Sequence, residues 1–314
     1  MPHRHDDIIL ELDRLRLTLN PRVGASVVSL MIRDDDQRWT PVFRTMPKDS
    51  DSASDAGSFA MLPWTNRIKD ARFAFNGQTH TLRPNASDST AIHGFARDLP
   101  WTIADRSPIT ARFVFDSRPL SKDTINYPFN FGAVVRFEIR PQGVEIDLSL
   151  TNLDDRPIPV GCGHHPYIHR HLFSDADNLH VKLDVAGRYP TNGCIPIGEP
   201  ETDAICTSLA NGDPIANPGL DDVFSGFGGI AVFDWAASNV RMTMRCTDNL
   251  NHVVIYTPRL DDGSADEFVC VEPTTMVNDG FNRHAEGSTS TGVIILNPNE
   301  TLRTRMTLAF STCS

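Results

Sequence analysis

Apolar side chains recur at every second position over much of this chain, the period of a half-buried β-strand. In Val134–Arg140, Val135, Phe137 and Ile139 point one way while Arg136, Glu138 and Arg140 point the other. Val144–Leu150 repeats the alternation, and Gln142-Gly143 between them predicts a hairpin. Residues 9–20 alternate in part, and 23–32 are rich in valine and small residues. Both read as strands, separated by Pro21-Arg22 and Gly24, with Asp34–Asp36 as a solvated turn. Within 67–82, Phe73 and Phe75 share a face and Asn76-Gly77 is the strongest hairpin signal, because both residues tolerate positive φ. Further strands are expected at 109–115, 229–235, 240–246, 252–257, 267–271, 292–296 and 302–310; in the last, Leu302, Met306, Leu308 and Phe310 lie on one side. The small-polar stretch 46–58 reads as a mobile loop, and 187–222 as turn-rich with a short helix near 202–209. Almost nowhere does an apolar period of 3.6 persist for three turns. The pattern predicts an all-β fold, an antiparallel sandwich, and argues against alternating β and α units. The length allows one elaborate domain or two smaller ones, and the single domain that we expect over residues 1–314 rests on the ordered motifs described below as well.

Size and charge narrow the picture. A chain of 314 residues can bury a large core, and its 17 phenylalanines suit a thick space between sheets. The formal charge of −11 disfavours non-specific binding to nucleic acid or to an anionic membrane. Six widely spaced cysteines without a CxxC pair read as reduced thiols of a cytoplasmic protein. The N-terminus is charged and soon acidic, and no apolar run approaches the roughly 18 residues of a membrane span. We therefore expect neither a leader nor a membrane helix. No internal repeat, GxGxxG, Walker loop or HExxH is present, and no cofactor is expected.

Four regions carry candidate chemistry. Asn66-Arg67-Ile68 precedes the Asn-Gly hairpin. His93-Gly94-Phe95-Ala96-Arg97 follows it. Gly161–Ile168 holds His164 and His165 before Pro166-Tyr167, with glycines that admit close approach to the backbone. Leu220–Phe224 and Cys270–Thr275 form the fourth. Singly, each has a plain structural reading: Arg67 in a salt bridge, His93 as a hydrogen bonder, Asp221 or Asp222 capping a turn. Glu272 is harder to dismiss, since an acid directly after Phe268–Val271 and before Pro273 emerges where a strand leaves the core.

Together these regions resemble the aldose 1-epimerase, or galactose mutarotase-like, family. The resemblance rests on NRIKDARFAFNGQTHTL at 66–82, HGF at 93–95, GxGxHPY at 161–167, LDDVF at 220–224 and CVEPTT at 270–275, in family order. It implies a large antiparallel sandwich with an open concave ligand face. It also implies interconversion of the α and β anomers of a free aldohexose through ring opening. On this resemblance His165 protonates the ring oxygen and Glu272 takes the proton of the C1 hydroxyl, an acid and a base on opposite sides of the anomeric centre. Arg67 and His93 are expected to hydrogen-bond the sugar, and Asp221 to grip a ring hydroxyl. Galactose and glucose differ in one hydroxyl's orientation, which no motif reads. Oligomeric state is open.

Three alternatives compete with this reading. His164, His165, His169 and His171 crowd eight residues and suggest the HxH metal ligands of cupins, yet no glutamate follows at short spacing; no metal is expected. His93–Arg97 followed by Pro100-Trp101 looks like the hexose-6-phosphate 1-epimerases, in which Arg97 would bind phosphate. A non-catalytic carbohydrate-binding protein would share the cleft without needing a paired acid and base.

Overall fold

The computed structural model describes residues 6–215 and 219–313. Residues 1–5, on which part of the no-leader expectation rests, lie outside the described residues, as do 216–218 within the expected turn-rich stretch and Ser314.

The two alternating segments pair along their whole length. Phe131–Arg140 and Gly143–Asn152 run antiparallel from Phe131 opposite Asn152 to Arg140 opposite Gly143. The turn is Pro141-Gln142, one residue earlier than expected. Gly143 already belongs to the ladder, where a Cβ would stand 2.2 Å from the Leu308 carbonyl oxygen. This hairpin lies in an eight-stranded antiparallel sheet ordered Thr102–Arg106, Thr110–Asp116, Phe131–Arg140, Gly143–Asn152, Thr301–Ser311, Val240–Cys246, Ile230–Trp235 and His180–Leu183. Thr102–Arg106 escaped the sequence reading because it is exposed along its length and carries no apolar face.

A second sheet runs Gly187–Arg188, Asp221–Ser225, His252–Tyr256, Phe268–Thr274, Gly163–His164 and Ala60–Met61, with Tyr167–His169 also paired to Phe268–Thr274. The two sheets make an antiparallel β-sandwich. One buried cluster joins Phe113, Val135, Phe137, Ile146, Met306 and Leu308 of the first to Phe224, Val253, Ile255, Val269 and Val271 of the second. Each such side chain contributes about 1.5–3 kcal/mol by leaving water. The outer face of the first sheet carries Arg136, Glu138, Glu145, Asp147 and Arg305 in a ladder of ion pairs. These pairs are partly solvated and add little to stability individually.

The remaining elements pack around the two sheets. Residues 9–20 are two strands, Ile8–Leu12 and Leu15–Asn20, because the chain turns at Asp13, where φ is 53°. Arg72–Phe75 and Gln78–Thr81 form the expected hairpin, with φ of 48° at Asn76 and 74° at Gly77. The 46–58 loop is tied down: Ala53 and Ala56 are buried, and the Arg44 guanidinium donates to the Ser54 and Ala56 carbonyls. The expected short helix is Ala204–Asn211. Asp203 caps it by accepting from the backbone N–H of Ile205 and Cys206, and Gly212 ends it in a left-handed conformation. A second helix, Gly280–Ala285, is too short to leave a periodic signal. Among the described residues no helix is long and apolar enough to cross a membrane.

Candidate functional site

Phe268–Thr274 is buried on both faces, and its alternation divides two tasks. Val269 and Val271 enter the main core, while Phe268 and Cys270 join a second cluster with Phe59 and Tyr167. Glu272 follows Cys270 on that second face. Strand pairing sets a row across the sheet, with Asp221 opposite Tyr256, Tyr256 opposite Cys270 and Cys270 opposite Tyr167. Glu272 therefore rises beside a row that begins with Asp221. The neighbouring Asp222 alternates away and meets Arg188 at 3.4 Å, so register separates two adjacent acids into different roles.

His165 is delivered by the Gly163–Tyr167 segment. Gly163 is required there, since a Cβ would lie 2.7 Å from the Pro273 carbonyl oxygen and 2.8 Å from the Thr274 side chain. The His165 backbone N–H donates to the Phe59 carbonyl at 3.0 Å. Its ring stacks on Tyr167 with centroids 4.5 Å apart and packs on Phe59 at 4.7 Å. Nε2 lies 3.2 Å from Glu272 Oε1. His93 stands edge-on to this ring, centroid to centroid 5.0 Å. It is held at φ 61° before Gly94 at φ 71°, a positive-φ pair that turns the chain tightly against Leu62.

Arg67 and Asp221 close the other side. Arg67 donates from Nε to Asp88 at 2.9 Å and from NH1 to Asn66 Oδ1 at 3.3 Å, and NH1 lies 3.5 Å from Asp221 Oδ2. The Cys194 thiol donates to the same Asp221 oxygen at 3.0 Å. Burial, with Asp221 adding to it, pushes that thiol up to about 12, which keeps it a protonated donor. Burial opposes the charge of Arg67, but Asp221 and its other anionic neighbours win and hold the guanidinium above its ordinary value.

All five expected residues, Arg67, His93, His165, Asp221 and Glu272, thus come together. Burial pushes the Glu272 carboxyl well above the usual carboxylate range, with Asp221 adding and Arg67 opposing. Burial, followed by Arg97 and Arg44, pushes the His165 imidazole well below its ordinary value. His93 is depressed by burial and then by His165. Glu272 Oε2, His165 Nδ1 and His93 Nδ1 are buried without a hydrogen-bond partner. Such groups cost about 1–3 kcal/mol each until a ligand supplies one. A surface cavity of about 740 Å³, lined by residues such as Asp13, Gln142 and Ser238, contains none of these groups.

His165 and Glu272, expected on opposite sides of the anomeric centre, are in direct contact through Nε2 and Oε1. The crowded histidines also part company. His164 points into the interior against Ala25, Val135 and Ile146, whereas His171 is exposed. Among the described residues the group placed to hold a metal is instead His165, Cys270 and Glu272. Arg97 is buried, stacks its guanidinium 4.9 Å over Phe59 and donates to Ser54 Oγ at 3.1 Å. Sequence reasoning missed Arg44, whose guanidinium lies 3.6 Å over the Tyr167 ring, together with Phe59, Asp88 and Cys194. These come from loops with no motif, and only the three-dimensional packing connects Arg44 and Phe59 to His165, and Asp88 and Cys194 to the Arg67–Asp221 pair.

The comparisons with known proteins follow this geometry. The family model for aldose 1-epimerase matches residues 13–309. The uncharacterized protein YphB of Escherichia coli K12 is 24% identical over 278 residues, covering 86% of this chain and 88% of YphB. A galactose mutarotase-like protein from Clostridium acetobutylicum superimposes with a TM-score of 0.83 at 22% identity, over 98% of this chain and 95% of that one. A galactose 1-epimerase from Lactobacillus acidophilus NCFM gives a TM-score of 0.71 at 17% identity, over 100% of this chain and 98% of its own. At these identities the solved structures establish the sandwich, and the match over residues 13–309 establishes descent: the chain belongs to the aldose 1-epimerase family.

Proposed function

We propose that the protein is a mutarotase, interconverting the anomers of a free aldohexose by opening the pyranose ring and closing it on the other carbonyl face. One observation carries this reading: the buried His165–Glu272 contact of 3.2 Å beside the Arg67–Asp221 pair. Opening needs a proton delivered to the ring oxygen as another leaves the C1 hydroxyl. Those two oxygens are bonded to one carbon, so an acid and a base in mutual contact suit them better than groups on opposite sides of the ring. Burial disfavours the charged form of each group, and in this reading the pair shares one proton. When a sugar donates its C1 hydroxyl to the carboxylate, the proton crosses to His165 and goes on to the ring oxygen. Closure runs the same path backwards. Each proton transfer is worth about 10²–10⁴-fold. Only protons move, so no electron carrier enters the balance.

Arg67, His93 and Asp221 orient the sugar, and the unpartnered ring nitrogens of His93 and His165 take its hydroxyls. Arg97 is buried, stacked on Phe59, bonded to Ser54 and ion-paired with Asp98 at 3.3 Å, which favours a free hexose over its 6-phosphate. The test is polarimetry of freshly dissolved α-D-glucose and α-D-galactose, corrected for spontaneous and buffer-catalysed mutarotation. We expect catalysis that survives exhaustive chelation. Sugar binding without any added rate identifies a carbohydrate-binding protein instead. A preference for the 6-phosphate that Arg97→Ala abolishes identifies a phosphosugar epimerase.

A further inference from the structure

Cys270 stands two residues before Glu272, so both side chains leave the same face of one strand, yet acid–base chemistry gives the thiol no task. Its Sγ, a carboxylate oxygen of Glu272 and a ring nitrogen of His165 all lie within 4.8 Å of one another. The three residues are 0%, 1% and 5% exposed respectively. Thiolate, carboxylate and imidazole are the donors of zinc sites, with bonds of about 2.0–2.3 Å; a tetrahedron of such bonds spaces neighbouring donors about 3.3–3.7 Å apart. The His165–Glu272 edge is 3.2 Å before any cation enters. Glu272 Oε2, buried and unpartnered, leaves this carboxylate with lone pairs that a cation could take.

We propose that His165, Cys270 and Glu272 form a site for a thiophilic divalent cation, zinc foremost, whose occupancy switches the enzyme off. The first half stands on the cluster alone; the second rests on the mutarotase reading. Binding converts the Cys270 thiol to a thiolate and the Glu272 carboxyl to a carboxylate, and the released protons pass to solvent without any electron transfer. The bound cation claims the lone pairs that proton transfer uses. Magnesium and calcium, which seek six or more oxygen donors, are not accommodated by one sulfur, one nitrogen and one carboxylate.

The test is titration of reduced, metal-free protein with Co²⁺, followed by absorbance. We expect a near-ultraviolet thiolate-to-cobalt band and the intense visible bands of four-coordinate cobalt, saturating at one ion per chain and erased by zinc. Cys270→Ser should abolish the near-ultraviolet band, and Cys194→Ser should leave it. Should Cys270→Ser fail to fold, His165→Asn supplies the same test through an affinity weakened at least tenfold. Absence of the band, or its survival in folded Cys270→Ser, overturns the site. In parallel, zinc should abolish mutarotation with the stoichiometry of the optical titration; full turnover with zinc bound overturns the switch. An intact optical titration in a protein that never accelerates mutarotation upholds the metal site and sinks the enzyme reading.

Discussion

Burial holds the His165 imidazole well below its ordinary value and the Glu272 carboxyl well above the usual carboxylate range. kcat/KM should therefore have its acid limb below pH 6.5. An acid limb falling already at pH 7 would contradict the depressed imidazole. Glu272→Gln keeps volume but accepts no proton, so kcat should drop by roughly 10²–10⁴-fold with sugar affinity altered far less. Its stability should move the other way. A carboxyl whose folded pKa is raised costs the native state more as pH climbs above about 4.5 towards the folded value, so removing it raises or preserves Tm at pH 8. Calorimetry showing a large fall in Tm would make Glu272 a structural acid. Asp221→Asn should chiefly weaken sugar binding. Glu272 was legible in the sequence as an acid embedded in an apolar strand, and His165 through its motif. Asp221 and Asp222 could not be told apart until strand pairing sent one to Arg67 and the other to Arg188.

At the scale of elements, alternation found the strands with one wet face, such as Phe131–Arg140, whose burial alternates along most of its length. It lost the fully exposed Thr102–Arg106, and it shortened Phe268–Thr274, which is buried throughout. Neither has two unlike faces to reveal. The turns that place the site depend on single residues. Gly94 has φ 71°, and a Cβ there would stand 1.7 Å from the Leu62 carbonyl oxygen. Gly94→Ala should therefore destabilise by about 1–3 kcal/mol or more and shift His93 off the sugar. Denaturant unfolding and sugar calorimetry on the same variant measure both losses. A variant with unchanged midpoint and unchanged affinity would show that the turn can relax.

The whole molecule also carries a pH limit separate from catalysis. His164 lies inside the sandwich, and burial holds its pKa down at about 4. The fold accepts only the neutral ring, so this contribution is complete above about pH 6.5 and is lost as the pH falls through about 4, roughly 3 kcal/mol in all. His164→Gln should flatten the decline of Tm between pH 7 and pH 4; an unaltered slope would place the acid sensitivity elsewhere. The sandwich was legible because strand periodicity is local, while the burial of His164 was not, since the partners that cover it come from strands distant in sequence. Phe268–Thr274 supplies the core with one face and His165 with its partner on the other. Chemistry and scaffold therefore share one strand. Heating should then extinguish turnover and melt the sandwich in a single coincident transition, and sequence change that alters the sugar taken will have to come from the surrounding loops.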